Sequence, residues 1–197
     1  MTSRSLQFLK LAVLITACVI SANGLCRPQL PKYNFDLERF LGSWKIIVTG
    51  FTGVPPPVAQ VEECVIYNFT KTDSPDILGY GYQHKVNGSW LVTNEGYAIV
   101  MDMKMPSIFD IRANRGSYIT SVIHTDYDSM LLISACRDDE EQFYIGSRQE
   151  TLEPIALTIL SDLMAGFGNL TETRPIFHQG INCIPPVSHE KSKLLLK

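Results

Sequence analysis

Cysteine is the residue through which this chain could most directly carry out covalent chemistry, and the number of its cysteines favours disulfides. The chain has five cysteines, of which Cys18 lies in an apolar N-terminal stretch. The other four, Cys26, Cys64, Cys136 and Cys183, form an even set. An even set in an exported chain indicates two disulfides and leaves no free thiol as a nucleophile. Four cysteines allow three pairings, and their spacing does not choose among them.

The histidines offer no recognisable metal or haem site. Of the four histidines, His84 and His124 fall in predicted strands. A metal or haem would need one of these histidines to point into the interior of the fold beside a second ligand. A single histidine in a strand is more commonly a structural residue of the sheet. The chain also lacks His-x-x-x-His, Cys-x-x-Cys and acidic metal-binding spacings. We therefore predict no catalytic residues, no metal and no cofactor.

The first 24 residues have the pattern of a secretory signal peptide. Arg4 and Lys10 precede the apolar run Leu11–Ile15, and the small residues Ser21–Gly24 follow. An apolar run this short, followed by a small-residue site, favours cleavage near Gly24 over a retained membrane anchor. The sequence thus predicts a signal peptide over residues 1–24, a single domain over 25–197 and an extracellular, secreted protein.

Charge and hydropathy narrow the expected partners. Removing residues 1–24 leaves 173 residues, enough for one domain with a sizeable core. The net charge falls from −3 to −5 because two basic residues and no acidic ones are removed. An acidic chain is a poor partner for nucleic acid or anionic membrane, and no later stretch approaches the roughly 20 apolar residues of a spanning helix. Asn68, Asn87 and Asn169 begin glycosylation sequons.

The sequence after residue 42 predicts a series of short strands, which must position the cysteines and histidines described above. Segments rich in Val, Ile, Tyr and Thr alternate with turn residues, and no long helical period interrupts them. The expected strands are Ser43–Thr49, Val61–Thr70, Leu78–Val86, Gly96–Met103, Ile108–Ala113, Ser117–Thr125, Met130–Cys136 and Gln142–Arg148. Eight strands joined by hairpin-sized turns predict an all-β fold, an antiparallel up-and-down barrel able to hold one small ligand. A β-sandwich is the alternative.

One helix and one long loop complete the expected architecture. Glu153–Gly166 predicts an amphipathic helix packed outside the barrel, with Ile155, Ile159, Leu160 and Leu163 on its buried face. The remainder, from Phe167 onward, has the composition of a loop. The longer connector after the first strand, over residues 50–60, is expected to lie at the barrel mouth, where it could act as a lid.

Three motifs in order resemble those of the lipocalins. Asn34-Phe35-Asp36 with Phe40-Leu41-Gly42-Ser43-Trp44 is similar to the first lipocalin signature. Thr125-Asp126-Tyr127-Asp128, before a strand that ends in Cys136, is similar to the second, and Arg148 is similar to the third. Within the family, the opening motif, the cysteine placement and Asn182-Cys183 most resemble apolipoprotein D and insect lipocalins of the Lazarillo and bilin-binding type.

The resemblance has structural and functional implications. It implies an eight-stranded antiparallel barrel with one C-terminal helix outside, and disulfides Cys26–Cys136 and Cys64–Cys183. It also implies that Arg148 stacks on Trp44 as a structural plug at the closed end, with hydrogen bonds to nearby carbonyls. Lipocalin prostaglandin synthases use a free cysteine inside the barrel, and Cys64 would resemble it only if unpaired.

Strand alternation predicts the side chains that face a ligand. Cys64 and Asn68 should face outward, so their odd-numbered neighbours should face inward, and Asp102 sets the same parity for the fourth strand. The predicted ligand-binding residues are Val65, Tyr67, Phe69, Tyr80, Tyr82, Tyr97, Ile99, Met101, Phe109, Tyr118, Thr120 and Ile133. Met103, Ile111, Leu131 and Ala135 are expected to face inward as well. Plain core packing is the alternative, and it is favoured near the closed end.

Such an interior suits a small hydrophobic molecule. An apolar, tyrosine-lined wall without an evident counter-charge favours a fatty acid, sterol, retinoid or similar lipid over a bilin. A bilin or pigment carrier is the first alternative. The second is a lipocalin whose loops bind a protein such as a cell-surface receptor, for which the prolines Pro55–Pro57 would be suitable.

Overall fold

The computed structural model describes residues 30–55, 62–114, 116–137, 140–167, 170–178 and 183. The expected signal peptide, Cys26 and Asn169 lie outside these residues. The elements within them, in chain order, are α1 (Leu37–Phe40), β1 (Gly42–Phe51), β2 (Glu62–Lys71), β3 (Ile77–Val86), β4 (Ser89–Val100), β5 (Ile108–Ala113), β6 (Gly116–Thr125), β7 (Met130–Arg137), β8 (Glu140–Ser147), α2 (Pro154–Phe167) and β9 (Glu172–Pro175).

Eight of the strands close into an antiparallel barrel. Each of β2 to β8 pairs with its neighbour in sequence, and β1 pairs with both β8 and β2. Closure of this kind leaves the barrel without a free sheet edge. The predicted fold class is confirmed, and seven of the eight expected strands end within two residues of their predicted limits.

β1 shares one of its edges between two partners. Residues 42–45 pair with β2, whereas residues 48–51 pair with the short strand β9. The pairing with β8 shifts register between Ile46 and Val48, which marks a bulge where β1 changes neighbour. The segment containing β9 was expected to be a loop, and β9 instead covers the edge that β1 presents beyond β2.

Helix α2 packs on the outside of the barrel. Pro154 occupies its first position, which suits a residue without a backbone N–H. Leu160 and Met164 are buried against Leu132, Phe143 and Ile145 on the outer faces of β7 and β8. The helix was predicted correctly, but its buried face was not.

The residues expected on the buried face of α2 lie mostly in solvent. Ile155, Ile159 and Leu163 are 74%, 50% and 38% exposed, and Leu160 alone of the four is buried. Leu157, Leu160, Met164 and Phe167 follow the same helical period and form the face that contacts the barrel. Both sets of apolar residues fit the helical period equally well, and packing against β7 and β8 buries the set that contains Met164.

A disulfide fastens the segment that follows β9 to the barrel wall. Cys64 and Cys183 are bonded, with their Cα atoms 5.3 Å apart and a sequence separation of 119. This is the pairing that the resemblance implies. Cys136 is also disulfide-bonded, and its implied partner Cys26 lies outside the described residues. Among the described helices, none is long and apolar enough to cross a membrane.

Arg148 closes one end of the barrel. Its guanidinium carbon lies 3.6 Å from the centroid of the Trp44 ring. Its nitrogens donate hydrogen bonds to the carbonyls of Arg39, Phe40 and Leu41 at 2.8–3.1 Å. These carbonyls stand at the C-terminal end of α1, where a helix has no internal partners for them. The planar fork of an arginine suits this cluster of acceptors.

Two further carbonyls bind the same side chain. Arg148 donates to Ser43 at 2.9 Å and to Tyr127 at 3.2 Å. Tyr127 in turn accepts a 2.8 Å hydrogen bond at its phenol oxygen from the backbone N–H of Asp36. The first and second motifs therefore meet in space, and Arg148 joins both of them.

An aromatic layer lies directly above this plug. Phe40 contacts Phe35, Trp44, Phe69 and Phe109, with ring centroids 4.8–6.0 Å apart. All five residues are buried. Aromatic pairs at these separations add to the stability gained from burial. The layer forms the floor above which the barrel interior begins.

Substitution of Arg148 tests this closure. Arg148→Lys keeps the charge but replaces five forked donors with one ammonium, so several buried carbonyls lose their partners. We expect the free energy of unfolding to fall by about 2–4 kcal/mol. Urea unfolding followed by circular dichroism measures it. Arg112→Lys is the control, because the exposed Arg112 bonds only Asp110 in the described structure and its loss should be below about 0.5 kcal/mol. A fully stable Arg148→Lys variant would contradict the closure.

Candidate ligand-binding cavity

A cavity of about 470 Å³ lies above the aromatic floor. Strands β2, β3, β5, β6, β7 and β8 supply its walls. The lining residues are Tyr67, Phe69, Tyr80, Tyr82, Ile111, Tyr118, Thr120, Ile133, Ala135, Arg137, Glu140, Gln142 and Tyr144. Its volume falls within the range of small-molecule sites, about 300–1,000 Å³.

Strand register brings these side chains to one face. Directly opposed residues of antiparallel strands project to the same side of a sheet. Tyr67 opposes Tyr82, and Phe69 opposes Tyr80. The same rule continues around the barrel, with the inward pairs Ile111–Tyr118, Thr120–Ala135, Ile133–Tyr144, Ala135–Gln142 and Arg137–Glu140. The register therefore produces a continuous inner wall.

The two ends of the cavity differ. Phe69 belongs to the aromatic floor and is the point where floor and cavity meet. Arg137 and Glu140 flank the connection between β7 and β8 at the opposite end. The mouth therefore lies at the β7–β8 connection.

Tyrosines form the central part of the wall. The ring of Tyr67 lies 5.3 Å from Tyr82, 5.4 Å from Tyr144 and 6.0 Å from Tyr80. Burial, followed by the neighbouring tyrosines, raises the pKa of Tyr67 well above its usual value, and burial chiefly raises the pKa of Tyr80 as well. Both phenols are neutral at physiological pH, so they offer apolar ring faces together with hydrogen-bonding hydroxyls.

Thr120 provides a polar group that lacks a protein partner. Its side chain is 2% exposed and lines the cavity. The Oγ1 atom has no hydrogen-bond partner in the described structure. Buried hydroxyls are nearly always hydrogen-bonded, so a ligand or a water molecule is the expected partner here.

Charged groups are confined to the mouth. Arg137 donates a 3.3 Å hydrogen bond to the Tyr118 hydroxyl and lies 5.5 Å from the centre of that ring. Glu140 and Gln142 lie beside it on the lining, and Gln142 accepts a hydrogen bond from Tyr144. A ligand with an apolar body and one charged or polar end would match this distribution.

Seven of the twelve predicted ligand-binding residues line the cavity. They are Tyr67, Phe69, Tyr80, Tyr82, Tyr118, Thr120 and Ile133. Phe109 and Val65 are buried but do not line it, because Phe109 belongs to the floor and Val65 packs in the main core. Ile111 and Ala135, which were expected to face inward, also line the cavity.

Three predictions for the expected fourth strand are wrong, because Tyr97 and Ile99 on β4, and Met101 directly after it, do not face inward. Tyr97 and Met101 are 56% and 53% exposed, whereas the intervening Ala98 is fully buried. Ala98 opposes Leu78 on β3, and Gly96 opposes Tyr80, so even-numbered residues of β4 face inward and Ile99 faces outward with Tyr97. Met103, expected inward with them, is exposed too.

The cause of this error is the position of Asp102, the residue whose expected outward direction was used to assign the inward residues of this strand. Asp102 was expected to face outward within the strand, but β4 ends at Val100. Residues 102–105 form a turn in which Met105 donates a 2.9 Å backbone hydrogen bond to Asp102. Two-residue alternation does not extend into a turn, so Asp102 gives no information about Tyr97 or Ile99.

The β8 lining was missed for a different reason. Along this strand, Phe143 and Ile145 are the strongest apolar residues, and they face outward beneath α2. Gln142 and Tyr144 alternate with them and face the cavity. An outer helix inverts the usual hydrophobic pattern of a strand, and the position of α2 directly after β8 is the signal that could have revealed it.

The two strand histidines take no part in the cavity lining. His84 is buried beside Tyr82, with 5.2 Å between the ring centroids. His124 is half-buried, and its pKa is lowered chiefly by desolvation, with Lys32 adding to the effect. A register shift between Val122 and His124 removes His124 from the inward alternation of β6.

The solved structures similar to this chain include lobster crustacyanins and a cockroach allergen. The chain matches apocrustacyanin A1 of lobster with a TM-score of 0.57 at 14% identity, covering 73% of this chain and 79% of that one. It matches H1 crustacyanin of the lobster Homarus americanus with a TM-score of 0.57 at 14% identity, covering 75% and 80%. The allergen Per a 4 of cockroaches gives 0.58 at 14%, covering 77% and 94%. No protein-family model and no curated protein sequence matches the chain.

These matches bear on the fold alone. The shared features are a closed eight-stranded antiparallel barrel and a helix packed outside it. Together with the guanidinium–indole plug, they define this fold as lipocalin-like.

The buried phenols predict a loss of stability at alkaline pH. An unfolded tyrosine ionises near pH 10, whereas folded Tyr67 stays neutral to a higher pH. Its contribution to stability is therefore present below about pH 10 and decreases above it. Above that pH the parent should lose about 1.4 kcal/mol more per pH unit than Tyr67→Phe does. Urea unfolding across a pH series measures this difference, and parallel losses in the two proteins would contradict it.

Proposed function

We propose that this protein is a lipocalin that binds and carries a small hydrophobic molecule in extracellular fluid. The observation that supports this most directly is the cavity of about 470 Å³ with a sealed floor and an aromatic wall. Burial of a hydrocarbon contributes about 0.8 kcal/mol per methylene, so a lipid of ordinary size could bind without any covalent bond. Within this proposal, the sequence motifs most resemble those of apolipoprotein D and the insect Lazarillo and bilin-binding lipocalins.

Secretion is part of this proposal. A disulfide between Cys64 and Cys183 is compatible with an oxidising compartment, as is the signal-peptide pattern of residues 1–24. Asn87 is exposed at the turn between β3 and β4, where a glycan could be attached. Asn68 is half-buried and accepts a 3.2 Å hydrogen bond from Ser43. We therefore expect Asn87 to be modified more completely than Asn68.

The proposed role is carriage and not catalysis. The barrel enzymes that make prostaglandins need a free thiol, and the equivalent candidate here, Cys64, is bonded to Cys183. Among the described residues, no cysteine or histidine lines the cavity. Its polar groups are phenols, one threonine and the three side chains at the mouth, which suit orientation of a ligand.

Arg137 favours ligands that carry a carboxylate. The sequence alone offered no counter-charge for an acidic ligand, but Arg137 lies at the cavity mouth. A guanidinium in this position suits a carboxylate, which fatty acids, retinoic acid and bilins all carry. Glu140 beside it limits the net positive charge. A fatty acid or acidic retinoid is our first candidate, and a bilin is the alternative.

Filling the cavity tests the proposal. Ala135 lines the cavity with a small side chain, so Ala135→Trp should occupy the space needed by a ligand and weaken binding of a fluorescent fatty acid at least about tenfold. Met103→Trp places the same tryptophan side chain on the exposed outer surface and should leave binding unchanged. Circular dichroism verifies that both variants fold. Equal binding by the two variants would place the ligand outside the cavity.

The natural ligand can be sought in protein purified from its own source. Native mass spectrometry should reveal a bound lipid or retinoid, and an absorption band in the visible range would identify a bilin. An empty barrel that also fails to bind fatty acids, sterols, retinoids and bilins would contradict carriage. That result would favour the loop-mediated protein interaction, with a cell-surface receptor as partner.

A further inference from the structure

Three side chains that can bind a metal meet where residues 176–178, the crossing segment after β9, contact β1 and β2. Cys64 lies on β2, His178 ends the crossing segment, and Cys183 lies beside both. One ligand atom from each, two sulfurs and a ring nitrogen, all lie within 4.8 Å of one another. All three residues are buried. The two cysteines form a disulfide in this structure, so the sulfurs bind each other.

The imidazole of His178 is oriented as a ligand would be. Its Nε2 lies 2.8 Å from the carbonyl oxygen of Ile46, so Nε2 carries the hydrogen and donates it. Nδ1 then holds a lone pair, and it is buried without a hydrogen-bond partner in the described structure. Metal-binding histidines characteristically donate their other ring N–H to a backbone carbonyl in this way.

The placement of His178 does not depend on the disulfide. Ile176 donates a 2.8 Å backbone hydrogen bond to Ile47, and Cys64 donates one of 3.1 Å to Phe177. With the bond from His178 to Ile46, these contacts hold the crossing segment against β1 and β2. The imidazole should therefore stay beside Cys64 when the sulfur–sulfur bond is opened.

We propose that reduction of the Cys64–Cys183 disulfide converts this corner into a Cys₂His site for Zn²⁺ or another thiolate-binding metal ion. A dithiol reductant supplies two electrons and two protons, so that the disulfide becomes two thiols and the reductant becomes a disulfide. Zn²⁺ then displaces both thiol protons and accepts two sulfur ligands and one nitrogen ligand. The product has three protein ligands and one position open to water.

The geometry and the environment both suit such an ion. Tetrahedral zinc has bonds of about 2.3 Å to sulfur and about 2.0 Å to nitrogen, so its ligand atoms stand roughly 3.5–3.8 Å apart. The two sulfurs, bonded to each other in the oxidised form, must therefore move apart to about 3.8 Å after reduction, and a ligand distance at the 4.8 Å limit must shorten by about 1 Å. Two buried thiolates would be strongly disfavoured without a cation, and the metal supplies the missing charge. The oxidised and metal-bound forms are consequently alternative states of one corner.

The experiment compares the full chain in oxidised and reduced forms. A phosphine reductant opens the disulfide without offering thiols to the metal, and Co²⁺ serves as the spectroscopic probe for Zn²⁺. The reduced parent should bind Co²⁺ with the thiolate charge-transfer and tetrahedral d–d bands, and Zn²⁺ should displace it. The oxidised parent should show neither band. Cys136→Ser is examined in parallel, because it removes one thiol of the other disulfide and should leave the spectrum in place.

Dependence on His178 decides the outcome. His178→Gln should weaken Zn²⁺ binding about tenfold or more, whereas His124→Gln, at a half-buried site on β6, should bind as the parent does. A reduced, folded parent without the thiolate bands would overturn the proposal, as would equal affinities of His178→Gln and the parent. If reduction alone unfolds the barrel, Zn²⁺ should restore the circular dichroism of the parent and not of His178→Gln. Failure of that restoration would also overturn it.

Discussion

The contact between Arg148 and Trp44 is the interaction on which the rest of the barrel depends. A barrel of eight strands needs one end filled, and a short helix laid across that end leaves its terminal carbonyls without partners. Arg148 satisfies three of these carbonyls while its guanidinium covers the indole. One side chain thus provides hydrogen bonds for the helix carbonyls and covers the apolar ring of Trp44 at the same point. The aromatic floor above it can then be wholly apolar.

A sealed floor determines the character of the space above it. Because Phe40, Phe69 and Phe109 fill the closed end, the cavity starts at the level where tyrosines replace phenylalanines. Burial raises the pKa of Tyr67 and Tyr80 above that of an ordinary tyrosine, so the wall carries uncharged hydroxyls even at alkaline pH. Charge appears only at the mouth among the lining residues, with Arg137 and Glu140. A ligand entering from this end would place its apolar part deepest, with the Thr120 hydroxyl as an inner polar contact.

The fold could be predicted because its determinants are local or are fixed by motifs, whereas the site depends on register. Hydrophobic alternation and turn residues located most strand limits, and the motif containing Trp44 implied its distant partner Arg148. Inward faces were correct where the anchor lay inside a strand, as Cys64 does for Tyr67. They were wrong for Tyr97, since Asp102 lies in the turn after β4. The lining of β8 depends on a helix packed over Phe143, which alternation within that strand cannot reveal.

Residues that follow α2 cover the line along which β1 separates from β2, which we call the β1–β2 seam. β1 leaves β2 after Lys45, and a barrel opened along this line would expose backbone donors and acceptors. β9 pairs with the freed edge, and the residues after it bond to Ile46, Ile47 and Cys64. Thr171 adds two hydrogen bonds to the carbonyls of Phe51 and Gly53 near the mouth. The floor and the seam are therefore both fastened by contacts between distant parts of the chain. For the proposed ligand, adjustment of the cavity would then come most readily from the side chains of the mouth and the central tyrosines, since these contacts fasten the strands around them.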